Sequence, residues 1–196
     1  MPRKPDPDLE DRILKAAQLL WKRGGEKALT LRAVAKAAGT NTPAVYRRFK
    51  DRKEIVIALL RYYQADLAKQ FRDTDSIEEI AEVFVDYLVK RPHAYELLLA
   101  HGRDLIPPGR PGRKPAAIRE SRPNFASLEE RLARRLGGSP EDHTKLALAL
   151  WSLAQGAAAI LLSRAIPEGH EEELRSACRA GVKTLIEEAA RSWGKK

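Results

Sequence analysis

Tyr46-Arg47-Arg48-Phe49 sets two adjacent guanidinium groups between two aromatic rings. A guanidinium group is permanently charged and presents a planar fork of donors. That fork matches the paired acceptors of guanine in the DNA major groove, and also the oxygens of a phosphate. A helix sealed inside a core has no use for two such neighbours; a helix lying against a polyanion does. Thr42, Pro43 and Ala44 precede the pair, and Lys50, Arg52 and Lys53 follow it. Hydroxyl groups such as those of Thr42 and Tyr46 suit phosphate oxygens, which fix register rather than sequence. A small residue such as Ala44 permits close approach or meets a thymine methyl.

Other chemistry is sparse. His93, His101, His143 and His170 are scattered, with no His-Glu-x-x-His pattern and no Cys–His pairing. No Walker or dinucleotide-binding loop is visible, and Gly109-Arg-Pro-Gly112 is a lone GxxG without supporting elements. The chain therefore reads as non-enzymatic, with no metal site and no cofactor. Its single cysteine, Cys178, excludes an internal disulfide framework and a Cys-based zinc site, and fits a reducing cytoplasm. The opening "MPRKPDPDLED" leads into charge rather than an apolar segment, so no signal peptide is expected.

Charge is unevenly placed. Residues 1–53 hold fourteen Lys or Arg against six Asp or Glu, a balance of +8 within a total of +9 over 196 residues. Such asymmetry points to nucleic acid or an acidic membrane surface as partner. The longest apolar run, Leu146–Leu162, is seventeen residues interrupted by Ser152 and Gln155. A bilayer span needs about 20 strongly apolar residues, so this run reads as a helix buried within protein.

The elements that must position the arginines are helices. Apolar residues Leu9, Ile13, Ala16, Ala17 and Leu20 recur at helical spacing, and Gly24-Gly25 stops that first helix. Thr30 is a candidate N-cap for a short second helix to Ala38, with Gly39 closing it. Asn41 caps a third helix to about Phe49, and Asp51 with Glu54 opens a fourth to about Arg72. Ser76-Ile-Glu-Glu79 starts a fifth, and a sixth runs from Pro92 to about Asp104. The segment 106–123 is too proline-rich for a helix and long enough to be mobile. A seventh helix spans about Arg122 to Leu136. Ser139-Pro140-Glu141-Asp142 starts an eighth that reaches Arg164, and a ninth ends near Trp193. The expectation is an all-α chain of about nine helices, with residues 1–53 as a DNA-binding domain and 54–196 as a helical regulatory and dimerisation domain.

The second and third helices, joined by Gly39-Thr40-Asn41, have the layout of a helix-turn-helix. On a wheel of 100° per residue, Val45 and Phe49 point inward. Pro43, Ala44, Arg47 and Arg48 cover the outward arc, with Thr42 and Tyr46 at its edge.

"ILKAAQLLWKRGGEKALTLRAVAKAAGTNTPAVYRRFKDRKEIVIALL", Ile13 to Leu60, resembles the N-terminal domain of the tetracycline-repressor-like (TetR) family of bacterial transcriptional regulators. The resemblance lies in Thr30 before the second helix, "VA..AG" at Val34–Gly39, "YRRF" at Tyr46–Phe49, and Lys53-Glu54. One departure is Ala33, where the family often carries an acid, so the capping box on the second helix is absent. The resemblance implies phosphate contacts from Thr30, Thr42, Tyr46 and Lys53, and base-edge contacts from Arg32, Ala44, Arg47 and Arg48. "WSLAQG" at Trp151–Gly156 is similar to a signature of one group of the family's regulatory domains, where a histidine usually stands in place of Gln155. A small-molecule inducer and a homodimer through the last two helices are further implications. The function implied is a sequence-specific regulator, a repressor released from a palindromic operator by its ligand.

Two features of the second domain bear on those implications. Phe84 and Tyr87, Tyr95 and Leu98, and Trp151 and Gln155 are pairs three or four residues apart, each on one helix face. Together they suggest a mostly apolar ligand cavity among helices five to eight. Small residues Ala154, Gly156, Ala157, Ala158 and Ala159 suit close helix approach at a dimer seam. The alternative function is an architectural binder of AT-rich minor grooves, because "PGRPGRKP" resembles an AT-hook in which Pro108 stands at a core arginine position.

Overall fold

The structure, a computed structural model, describes residues 8–74, 76–106 and 118–193. Among these residues there are ten α-helices, two 3-10 turns and no strand. The helices are α1 Leu9–Ala28, α2 Leu31–Ala37, α3 Thr42–Tyr46, α4 Arg52–Gln70, α5 Ile77–Lys90, α6 Pro92–His101, α7 Ile118–Ser121, α8 Pro123–Leu136, α9 Thr144–Ser163 and α10 Glu171–Trp193. The 3-10 turns are Gly102–Leu105 and Pro140–His143.

The chain forms two compact units. The first contains residues 1–63 and 93–105; the second contains 64–92 and 106–196. The first is built on a core in which Ile13, Leu29, Val34, Val45, Ile55, Leu59 and Leu97 are fully buried. Caps set its short helices. Thr30 Oγ1 accepts the Ala33 N–H at 3.2 Å, and Asn41 Oδ1 accepts the Ala44 N–H at 2.9 Å. With Ala33 in place of an acid, the first cap is half of a capping box. Asp51 Oδ1 accepts the Glu54 N–H at 3.0 Å and opens α4. Between α2 and α3 the backbone reverses at Gly39, φ +64, in open space; the demand there is conformational rather than steric.

Gly24-Gly25 stops the regular helix of α1, as its sequence implies. Both leave helical geometry, Gly25 at φ 57 and ψ −143, and one further turn carries the chain to Ala28. The Ser139 start also takes a different form. The capping box with Asp142 is present, with the Ser139 N–H donating to Asp142 Oδ2 at 2.9 Å. It heads a 3-10 turn, however, and α9 begins only at Thr144. His143 lies buried beneath that turn with Nε2 2.7 Å from the Gly137 carbonyl.

The second unit packs α5, α9 and α10 together and lays α8 beside α9. Ile77, Phe125, Leu132, Ala147, Leu150, Val182 and Ile186 make its core. Arg131 donates to the carbonyls of Phe71 at 2.9 Å and Thr74 at 2.6 Å, fastening the chain that leaves α4. Arg175 pairs with Asp86 and Arg179 with Glu82, so two ionic contacts join α10 to α5. Glu129 is buried, accepting from Thr144 Oγ1 at 2.6 Å with Arg119 Nε at 3.5 Å. In the proline-rich stretch, residues 107–117 lie outside the described residues, and the expectations for them go with them, the AT-hook-like "PGRPGRKP" included. Ile118–Ser121, within the same stretch, is helical.

Candidate nucleic-acid interface

α3 holds five residues, Thr42-Pro-Ala-Val-Tyr46, and Arg47 is its C-cap. Proline at its first turn costs nothing, because the N–H it lacks has no helical partner there. Val45 and Phe49 are buried and anchor the segment, as the wheel requires. Pro43, Tyr46, Arg47 and Arg48 are exposed, Tyr46 at 54 %, and Thr42 is half-buried. Thr30 and Arg32, at the start of α2, are exposed as well. Among the described residues neither Arg32 nor Arg47 has an ion-pair partner. Both forks are therefore free to meet a base edge or a phosphate.

Ala44 departs from the wheel. Expected on the outward arc, it is 5 % exposed and belongs to the first unit's core. The 100° rule presumes a regular helix, and five residues closing into turns after Tyr46 do not provide one. Its small side chain lets α3 sit close on that core.

Lys53 is exposed at the start of α4, but it is not free: its Nζ lies 2.9 Å from Asp104 Oδ1. The Asp104 carboxyl is held below the usual carboxylate range, chiefly by the hydrogen bond from Lys53, with His101 adding to it. Arg52 pairs with Glu26 at 2.7 Å. Glu26, His101 and Asp104 escaped the sequence reading, since no local pattern joins residues separated by up to 78 positions. The signal in the chain is weak: two acids and a histidine, each close to a helix end.

The residues expected to bind a ligand have different surroundings. Trp151 meets Phe125 edge-on, with ring centroids 5.9 Å apart, and the Arg122 guanidinium lies 5.5 Å above the indole. Burial lowers the Arg122 pKa from its usual value. Gln155 Oε1, one turn along α9, is buried with no hydrogen-bond partner. Tyr87 is buried, with its hydroxyl 3.0 Å from Asp66 Oδ2 and its ring beneath Arg91. Phe84 is half-buried on the same helix. Tyr95 and Leu98 fall in the first unit, where Leu98 packs on the core and burial raises the Tyr95 pKa. A cleft of about 410 Å³ lies along α5 and α10, lined by charged residues including Glu82, Asp86, Lys90 and Arg175, with Cys178 beside them. None of the six expected residues lines it.

The helix run Pro140–Ser163 is long and apolar enough to cross a membrane by length and composition, at mean hydropathy 1.8, with 28 % of that window buried. Its Ala154, Ala157 and Ala158 are covered by its own chain. Gly156 is not: a Cβ there would meet nothing within 4 Å.

A family model described as "Bacterial regulatory proteins, tetR family" matches residues 13–59, and one described as "Tetracyclin repressor-like, C-terminal domain" matches residues 77–185. No curated protein matches. Among solved structures, the multidrug binding protein EbrR complexed with imidazole is 23 % identical, over 95 % of this chain and 94 % of that one, at a TM-score of 0.64. A TetR-family member from Streptomyces coelicolor A3 is 21 % identical, over 92 % of this chain and 99 % of that one, at 0.65. A variant TetR from Acinetobacter baumannii AYE in complex with minocycline is 20 % identical, over 96 % and 98 % of the two chains, at 0.60. At these identities the likeness is one of fold.

Proposed function

This chain belongs to the tetR family of bacterial regulatory proteins, and we propose that it is a repressor that binds a palindromic operator as a homodimer and is released by a small ligand. The observation that carries the reading is the exposed arc of Tyr46, Arg47 and Arg48, presented by a turn that Gly39 and Asn41 hold. Arg32 and Arg47 take base edges, with Arg48 beside them. Thr30, Thr42, Tyr46 and Lys53 take phosphates. Ala44, being buried, supports α3 instead of touching a base. Two-fold symmetry of the protein is matched by two-fold symmetry of the site. Arg47→Ala tests this on a duplex selected by the wild-type protein from a random pool. A loss of about 1–3 kcal/mol on that duplex, and less on mixed sequence, is the expected result. Undiminished affinity overturns the assignment of Arg47.

The second copy covers α9 and α10. α9 is apolar beyond what its own chain buries, and Gly156 stands in open space where another helix fits. A second chain suits that face better than lipid, because charged Lys183, Lys145 and Glu187 stand exposed on and beside the same pair of helices. Neighbours of this fold are described in complex with ethidium, malachite green and minocycline. For this chain the ligand reading rests on Trp151 and the unpartnered Gln155 Oε1, an aromatic wall with a spare amide acceptor. Ligand binding that favours one spacing of the two recognition helices then releases DNA by shifting a population. The architectural minor-groove reading is not favoured, because the matched family accounts for the exposed arginines without it.

A further inference from the structure

His101 stands between two carboxylates, and each of them shares its two oxygens in the same way. Asp104 turns Oδ2 to His101 Nδ1 at 3.2 Å and Oδ1 to Lys53 Nζ at 2.9 Å. Glu26 turns Oε2 to His101 Nε2 at 3.7 Å and Oε1 to Arg52 Nη2 at 2.7 Å. The Trp21 ring closes one side of the imidazole, edge-on at 5.8 Å, and leaves the His101 side chain 17 % exposed. These groups come from three elements: α1 supplies Trp21 and Glu26, α4 supplies Arg52 and Lys53, and the 3-10 turn supplies Asp104 and also carries Arg103. On α6 itself the other titratable groups are His93 and Glu96, paired with each other at 3.2 Å, and the buried Tyr95.

A neutral imidazole donates one hydrogen bond, and here Nδ1 is placed to give it to Asp104. Its Nε2 then faces Glu26 as a lone pair, and that buried nitrogen has no hydrogen-bond partner. An imidazolium donates from both nitrogens, one to each carboxylate. It then competes with Lys53 for Asp104 and with Arg52 for Glu26. With His101 neutral, two carboxylates offset two cations; with His101 charged, the cluster carries one net positive charge. Both cations lie in the first turn of α4, the turn that the DNA-binding reading sets against phosphate.

We propose that His101 makes DNA binding proton-linked: its protonation draws Glu26 and Asp104 away from Arg52 and Lys53 and frees those two cations for the phosphate backbone. The inference rests on the DNA-binding reading above and extends it to regulation. His101 acts as a positioning residue and touches no nucleotide. The sign follows from linkage: if the charged imidazole favours the complex, affinity rises as pH falls, and DNA in turn favours the protonated form of His101.

The test uses the full-length protein and a fluorescein-labelled duplex of mixed sequence at constant ionic strength, since phosphate contacts need no operator. Between about pH 8 and about pH 6, wild-type affinity should tighten about two- to fivefold beyond a His101→Gln variant, the range of one or two exposed ion pairs. His93→Gln should keep the wild-type gain. Asp104→Asn, which releases Lys53 at every pH, should bind more tightly than wild type near pH 8 and respond less to acid. Should His101→Gln fail to fold, NMR titration of the His101 ring in the wild-type protein decides, with a midpoint that rises on adding duplex. A His101→Gln variant with the full wild-type pH response, or a midpoint that DNA leaves in place, overturns the proposal. Absence of DNA binding at every pH instead sinks the reading on which it rests.

Discussion

Trp21 donates its indole N–H to the carbonyl oxygen of His93 at 2.9 Å, across 72 residues of sequence. Through this bond α6, with Leu97 fully buried, joins the core that also carries α3. Trp21→Phe keeps an aromatic ring and removes the donor. It should lower stability by about 1–3 kcal/mol, the cost of a lost bond beside an imperfectly refilled space. Urea denaturation followed by far-UV circular dichroism measures it.

Ala44 supplies a second check on how the interface is built. Because its side chain faces the core, Ala44→Leu should overpack and destabilise the first unit by about 1–3 kcal/mol. An unchanged unfolding midpoint combined with weaker DNA binding would return Ala44 to the outer surface.

Gly156→Leu separates the fold of one chain from its association with another. The new Cβ meets nothing within 4 Å, and leucine is a far better helix former than glycine, so the chain stays folded. At the seam proposed between two copies, the same side chain would hold the helices apart. Sedimentation velocity at micromolar concentration should then show more monomer than wild type. An unaltered dimer moves the seam off this part of α9.

Acid should loosen the second unit. At Asp86 burial pulls the carboxyl upward, but hydrogen bonds from Arg175 and Lys90 outweigh it and leave the pKa below the ordinary 3.8. At Glu78 burial likewise acts upward, and Arg135 together with hydrogen bonds from the backbone and Ser76 outweighs it, leaving the pKa below the ordinary 4.5. Both groups are thus lowered by folding. Their contribution is fully present above those ordinary values and is lost as pH falls through the lowered ones. Thermal melts should show the midpoint dropping below about pH 4, and a Glu78→Gln, Asp86→Asn double variant should be less stable near neutrality and flatter in acid.

Local chemistry made much of this architecture legible. Thr30, Asn41, Asp51 and Ser76 all cap the helices they were expected to start, because a side chain bonding an N–H three residues on is a short-range event. The exposed arginine pair followed from its neighbours in the same way. What escaped depends on partners far along the chain. Nothing near Tyr95 and Leu98 signals that they fall with the N-terminal core, and nothing near Tyr87 announces that Asp66 takes its hydroxyl. Three-residue spacing places two side chains on one face of a helix, but what that face meets is decided by other elements. Ala44 differs for another reason: a helix of five residues is too short to sustain the 100° periodicity.

The make-up of the first unit has a practical consequence for anyone moving it into a chimera. A fragment cut after Tyr63 retains every side chain expected on DNA. It also discards Leu97 from the middle of its own core, the carbonyl that Trp21 bonds, and the acid that holds Lys53. The portable module is therefore two pieces of chain, 1–63 and 93–105, and a chimera must either carry both or supply a surrogate helix with a leucine at the matching place.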